Sequence, residues 1–360
     1  MMSLMRKNLL FLSIISIIGW ACQSSSDKGG REAADESASE DSALLAQAQL
    51  FFQPLEASVP ENPDNPITPE KFQLGKMLYY EKALSKDHKI SCNSCHDIAR
   101  FGVDNLPTSP GNDGQNGERN SPTTLNAAFH IAQFWDGRAK DVEEQAGGPI
   151  LNPIEMAMPS EAAVVKRLSN TPPYPQLFKE AFPDTDTPLT FTHIRQAIAA
   201  FERTLVTPTR FDEYLKGDID ALSKEEKEGL KTFIEVGCIT CHKGKLLGGD
   251  MFQKFGVVKE YWTLTGSTHI DSGRYKVTRN EADLFVFKVP SLRNIAKTAP
   301  YFHDGSVASL DQAVQIMAEA QLGRKLTEEQ TTAIVAFLQS LTGEIKAGWL
   351  METTTDKAVN

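Results

Sequence analysis

The sequence has no cysteine outside one N-terminal position and two short motifs, no excess of positive charge and no long apolar run. Five cysteines occur in 360 residues: Cys22, the pair Cys92 and Cys95, and the pair Cys238 and Cys241. Once Cys22 is set aside, the remaining four leave room for two disulfides at most. The formal net charge is −10, with 47 acidic against 37 basic residues. That balance argues against a nucleic-acid partner and would suit a basic redox partner. The apolar run from Leu9 to Ile18 falls well short of the roughly 20 residues of a membrane-spanning helix.

What is there begins with an export signal. Arg6 and Lys7 precede the apolar run, and small residues follow it before Cys22, the order of a secretory signal. Cys22 directly after GWA resembles a lipoprotein box, in which the signal is cut and Cys22 carries the lipid. In plain secretion Cys22 would leave with the signal. The next stretch, QSSSDKGGREAADESASEDS, is polar without apolar period, which predicts a flexible tether. A lipidated Cys22 would place the rest as a periplasmic protein held at a membrane by its lipid alone.

The four other cysteines share one pattern. SCNSCHDI at 91–98 and GCITCHKG at 237–244 each read Cys-x-x-Cys-His. A disulfide does not require the histidine, and a closed zinc site wants a fourth ligand. Covalent haem uses all three residues. Positions i, i+3 and i+4 of a helical turn share a face, so both thiols can form thioethers while the imidazole binds iron. Two copies behind an export signal predict two covalently attached c-type haems.

Each half of the chain repeats a plan. TPEKFQLGKMLYY precedes the first motif and SKEEKEGLKTFIEVG the second. Thr68 and Ser223 stand at N-cap positions and Pro69 at the first helical position. A closing amphipathic helix follows in each half. Its apolar face is Ile194, Ala197, Ile198, Phe201 and Leu205 in the first, and Ile334, Phe337, Leu338 and Leu341 in the second, with Gly343 as stop. The expected fold is mainly α: two tandem cytochrome c-like domains with long loops, over 51–208 and 209–345. Signal (1–22), tether (23–50) and tail (346–360) flank them.

With the motifs placed, LSKDHKISCNSCHDI, GERNSPTTLNAAFHIAQFWDGRAKDVEEQAGGPILNPIEM, FKVPSLRNIAKTAPYFHDGSV and QIMAEAQLG resemble the bacterial dihaem cytochrome c peroxidases, a group that includes the MauG-type enzymes. The likeness runs from about Thr68 to Gly343. It implies reduction of hydrogen peroxide to water with two electrons from a small mono-haem cytochrome c or cupredoxin. It implies that the first haem, on Cys92, Cys95 and His96, meets peroxide. The second, on Cys238, Cys241 and His242, relays electrons, with Met317 as its sixth ligand and Met251 as the rival. It makes Glu155 the catalytic acid–base group, Gln145 its hydrogen-bonding neighbour and Trp135 the tryptophan between the haems. It also implies calcium at Asn120 and the carbonyls of Thr298 and Pro300, and a homodimer in many members.

One departure stands out. Many members carry a histidine in the loop after the first motif that caps the peroxidatic iron in the resting oxidised enzyme. Here the loop reads SPGNDGQ and the aligned residue is Asn112; no histidine lies between His96 and His130. The expectation is an iron left open or water-capped, with another residue of this long loop, or His88, as the competing cap. His130 and His193 are expected to pack, His269 to lie in a loop, and His303 to make a structural hydrogen bond. A MauG-like oxidant of another substrate and a non-catalytic dihaem carrier are the other functional readings.

Overall fold

The computed structural model describes residues 26–351, with side chains from residue 39 onward. The chain divides into residues 1–42 and 43–360. In the first unit, residues 26–42 are helical, the opening turns of the helix Ser26–Phe51. The expected flexible tether over 23–50 is therefore corrected for 26–50. The stretch is polar, but its Ala, Glu, Leu and Gln are strong helix formers.

The larger unit contains both haem motifs, and each is framed by a crossed helix pair. In the first half Pro69–Tyr80 packs against Phe191–Glu202; in the second Lys224–Val236 packs against Glu328–Ser340. The N-caps form as expected: the Thr68 hydroxyl accepts from Lys71 N–H, and Ser223 forms a capping box with Glu226. Gly237 closes the second leading helix with φ +102°, a left-handed cap that glycine adopts without steric cost. Gly343 is not the stop of the last helix. Leu341 caps it, and Gly343 N–H instead donates to Asn294 Oδ1 at 2.9 Å.

The two crossings are copies of one another. A Cβ on Gly75 would meet the Ala197 carbonyl oxygen at 1.9 Å, and a Cβ on Gly229 would meet that of Ala333 at 1.9 Å. Glycine costs about 1 kcal/mol in a helix interior, and here it lets two backbones touch.

Each crossing sits in its own apolar core. The first includes Leu74, Leu78, Tyr79, Ile194, Ile198 and Phe201; the second includes Phe211, Leu230, Phe233, Ile334 and Phe337. The chain ends do not respect the expected boundaries. Ala48 and Phe52 are buried in the second core, whereas Trp349, expected in a tail, is buried in the first. Tyr80 Oη donates to the Trp349 carbonyl at 3.2 Å. Residues 43–52 thus belong with the second half and 345–350 with the first, because each carries large apolar side chains that those cores bury. Cys22, the signal and residues 352–360 lie outside the described residues.

A third cluster of Phe255, Tyr261, Phe287, Tyr301, Val307 and Ile316 has Trp135 and Met317 against it. Sheet among the described residues is one antiparallel ribbon, Phe252–Lys254 with Val286–Lys288. No helix among the described residues is long and apolar enough to cross a membrane.

Candidate functional site: two haem motifs and a buried loop

Cys92 and Cys95 open and close a single helical turn, and Cys238–Thr240 forms the corresponding turn of the second motif. No disulfide joins these four cysteines. Burial raises the Cys95 pKa to about 11 and that of Cys238 to about 12, so neither is a free reactive thiolate. The two histidines are prepared alike. His96 Nδ1 donates to the Pro122 carbonyl at 2.9 Å and His242 Nδ1 to the Leu247 carbonyl at 2.9 Å. A carbonyl only accepts, so the proton sits on Nδ1 and the Nε2 lone pair is left for a metal. Burial lowers both imidazole pKa values, favouring the neutral, ligating form. These residues fit covalent haem. Among the described residues no three His, Cys, Asp or Glu side chains converge as a metal cluster.

Sequence reading missed what holds these motifs. The Tyr79 hydroxyl, fully buried, donates to the His96 carbonyl at 2.7 Å. Glu202 lies buried near Cys92 and Tyr79; burial, with Glu143 adding to it, raises its pKa to about 8. On the second side Arg293 and Asp212, both fully buried, form a bidentate pair at 2.5 and 2.6 Å. Arg293 also donates to the Lys245 carbonyl at 2.9 Å, bracing the loop whose Leu247 holds His242. None of these pairings has a sequence signature, since even the hydrogen-bonded partners are 17 to 81 residues apart.

Glu155 is half-buried and accepts from Asn152 Nδ2 at 2.9 Å. It lines a solvent-open recess of about 350 Å³ with Phe134, Arg138 and Asn152. Burial raises its pKa, and Arg138 and the Asn152 hydrogen bond oppose the shift. Gln145 is half-buried at the end of the short helix Val142–Gln145. Asn112 is 3% exposed, its N–H donates to the Glu155 carbonyl at 2.7 Å, and neither atom of its side-chain amide has a hydrogen-bond partner. The loop is pressed onto the 154–155 backbone: a Cβ on Gly111 would stand 1.8 Å from the Ile154 oxygen. His88, by contrast, is exposed in a turn with φ +56°.

Trp135 Nε1 donates to the Asn120 carbonyl at 2.9 Å, and Asn120 N–H donates to the His303 carbonyl at 2.8 Å. Asn105 Nδ2 reaches the Ala299 carbonyl at 2.7 Å. The segment carrying Asn120 thus meets that carrying Thr298 and Pro300. The His303 side chain does not make the expected hydrogen bond. Its Nε2 has no partner, and its ring stacks on Phe287 with centroids 4.2 Å apart. His130 is not in a helix proper but caps a short 3-10 turn, with Nδ1 2.8 Å from Lys288 Nζ. His193 stacks on Phe182, and His269 is exposed. Met317 lies on the helix Leu310–Leu322; Met251 lies beside the ribbon, its carbonyl accepting from Val289 N–H at 2.9 Å.

Two Cys-x-x-Cys-His motifs, each in a helical domain with its histidine set for metal, define a di-haem c-type cytochrome. Comparison with known proteins narrows the class. Residues 69–220 match the family described as di-haem cytochrome c peroxidase, and residues 226–342 match cytochrome c. The chain is 46% identical to a cytochrome c551 peroxidase of Pseudomonas aeruginosa, over 84% of this chain and 87% of the relative. It is 48% identical to a cytochrome c551 peroxidase of Nitrosomonas europaea, again over 84% and 87%. Among solved structures, a MauG-like protein associated with microbial copper homeostasis matches with TM-score 0.72 and 30% identity, over 81% of this chain and 95% of that one. The chain belongs to the di-haem cytochrome c peroxidase family. It is a peroxidase with two cytochrome c-like domains and two c-type haems.

Proposed function

We propose that this peroxidase reduces hydrogen peroxide without prior reductive activation, using electrons from a small mono-haem cytochrome c or cupredoxin. The overall reaction joins one peroxide, two electrons and two protons to give two waters. The observation that carries the proposal is Asn112, buried against the Glu155 backbone with an unpartnered side chain, where the resemblance places a capping histidine. A carboxamide is a weak iron ligand beside imidazole. The exposed position of His88 supports the same reading.

A haem bound at the first motif would supply the redox-active iron that reaction with peroxide requires. His96, held by the Pro122 carbonyl, would bind that iron, and Cys92 and Cys95 would anchor the haem through thioethers. Glu155 takes the proton from one peroxide oxygen and delivers it to the other, which leaves as water. A raised carboxyl pKa suits both halves of that task. Gln145 and Asn152 orient the carboxylate and its substrate. At the second motif Cys238 and Cys241 would anchor the other haem, and His242 and Met317 would bind its iron, a donor pair that raises the potential. Trp135 stands on the electron path.

The finer assignments complete the proposal. Calcium is held by Asn120 and the carbonyls of Thr298 and Pro300, oxygen ligands of the kind it prefers. The protein is periplasmic, held at a membrane through a lipid on Cys22, and forms a homodimer. The test is peroxide-dependent oxidation of a reduced small cytochrome c, begun from fully oxidised enzyme and again after partial reduction. Equal initial rates support the proposal. A lag removed by reduction shows that another residue caps the iron. No turnover from either state favours the MauG-like oxidant or the electron carrier.

A further inference from the structure

The recess beside Glu155 holds about 350 Å³. That is the size of a small organic ligand's pocket, roughly 300–1,000 Å³, and more than hydrogen peroxide alone needs. Cys92, Cys95 and His96 do not line it; Glu155 and its partner Asn152 are the residues of the proposed reaction that do. One side is apolar, formed by Phe134, Pro149, Leu151 and Phe191. Gly148 keeps that side clear, since an added Cβ there would come within 3.5 Å of Phe134 Cζ.

Two guanidinium groups also line the recess, and they are not alike. Arg138 is engaged: its Nη1 donates to both Asp136 carboxylate oxygens at 3.1 Å, and its guanidinium lies 3.4 Å from the centre of the Phe134 ring. Arg195 comes from the helix Phe191–Glu202. Its stem lies against Gly147, where an added Cβ would stand 2.5 Å from Arg195 Cδ, and its Nε is buried without a hydrogen-bond partner. A guanidinium is always charged and its N–H fork matches a carboxylate. An unpaired buried N–H is costly, and an anionic ligand would satisfy it. The carboxylates that face the recess besides Glu155 are Glu144 and Glu161, both exposed. Glu144 already accepts from Lys140 N–H at 2.8 Å, and solvent screens both. On its other side Arg195 borders a second recess with Asp64, Asp141 and Glu143. Glu143 is taken there by Asn62 and Asn65 at 2.9 and 3.1 Å.

We propose that this recess admits organic hydroperoxides that carry a carboxylate. Arg195 binds the carboxylate, the apolar side takes the organic body, and the O–O group lies at Glu155. The proposal rests on Glu155 being the acid–base group of peroxide reduction. The balance follows the parent reaction: one hydroperoxide, two electrons and two protons give one alcohol and one water. Glu155 takes the proton from the terminal oxygen and returns it to the oxygen bonded to carbon, which leaves as the alcohol when the O–O bond breaks. The other oxygen becomes water with two protons and two electrons from the same small donor.

The test is peroxide-dependent oxidation of a reduced small cytochrome c by the partially reduced holoprotein, so that any need for activation does not enter. Hydrogen peroxide, cumene hydroperoxide and cumene hydroperoxide with a para carboxylate are compared. The two organic compounds share a body and differ in the carboxylate. The carboxylated one is expected to show the higher kcat/KM of the pair, through a lower KM. Arg195→Gln is expected to lower the ratio between the pair about tenfold, and Arg195→Lys, which keeps the charge but not the fork, to recover part of it. An equal or lower kcat/KM for the carboxylated compound, or a ratio that Arg195→Gln leaves unmoved, overturns the proposal. Turnover of hydrogen peroxide with neither organic hydroperoxide also overturns it and leaves the parent reading standing. Failure with all three overturns both.

Discussion

At the scale of single residues the account turns on Glu155 and Asn112. If Glu155 moves the peroxide proton, Glu155→Gln lowers the rate constant for reaction with peroxide by about 10²–10⁴-fold. It leaves electron uptake from a reduced cytochrome unchanged. The pH profile gives a second readout. Glu155 acts first as a base, so the rate in wild type rises with pH through its pKa. Burial sets that pKa above the ordinary carboxylate range, and the acidic limb should lie above pH ~4.3 and vanish in the glutamine variant. Asn112→His tests the other residue. It is expected to produce a low-spin oxidised spectrum and a requirement for prior reduction; an unchanged spectrum and no lag would show that this loop does not reach the iron. The haem anchors were legible in the sequence because thioether attachment needs contiguous residues. The parts that orient them were not, since Pro122 lies 26 residues from His96 and Tyr79 lies 17 residues before it.

At the scale of elements, the four framing helices could be read from apolar spacing and N-caps. Their crossings could not, because Gly75 and Gly229 look in sequence like weak points of two helices. Gly75→Ala or Gly229→Ala forces the crossing apart and is expected to cost ~1–3 kcal/mol, measured by denaturation of the holoprotein. Gly348→Ala, where an added Cβ meets nothing within 4 Å, serves as the near-neutral control. Equal stability of all three would mean that the crossings relax freely. The helix Ser26–Phe51 was hidden by its polar composition. Its usable signal was the spacing of Leu44, Leu45, Ala48 and Phe51, which puts apolar side chains on the second core. Asp212→Ala leaves Arg293 buried without its partner and is expected to cost about 3–5 kcal/mol. Loosening of the second haem's environment in its absorption spectrum should accompany that loss.

At the scale of the molecule, Arg119 ties loops from the two halves, bonding Asp136 at 2.6 Å and Asp271 at 2.5 Å. Burial alone would raise Asp271, but the hydrogen bonds and charge of Arg119 outweigh it and hold the carboxyl well below its usual range. Its contribution is fully present above the unfolded pKa of ~3.9 and is lost as pH falls through the depressed native value. Wild type should therefore lose stability below about pH 4, and Asp271→Asn should flatten that slope; equal acid slopes would remove Arg119 and Asp271 from the explanation. Composition predicted an acidic molecule but could not reveal which charges meet across its halves, as Arg119 meets Asp136 and Asp271, since charge placement is a property of the fold.

The central claim, that the oxidised peroxidatic site is open, is tested most directly by rapid mixing of fully oxidised protein with hydrogen peroxide, with no reductant present. The account predicts an immediate absorption change at the first haem, at a rate proportional to peroxide concentration and strongly reduced in Glu155→Gln. A fully oxidised protein that does not respond, but reacts at once after one-electron reduction, would contradict it.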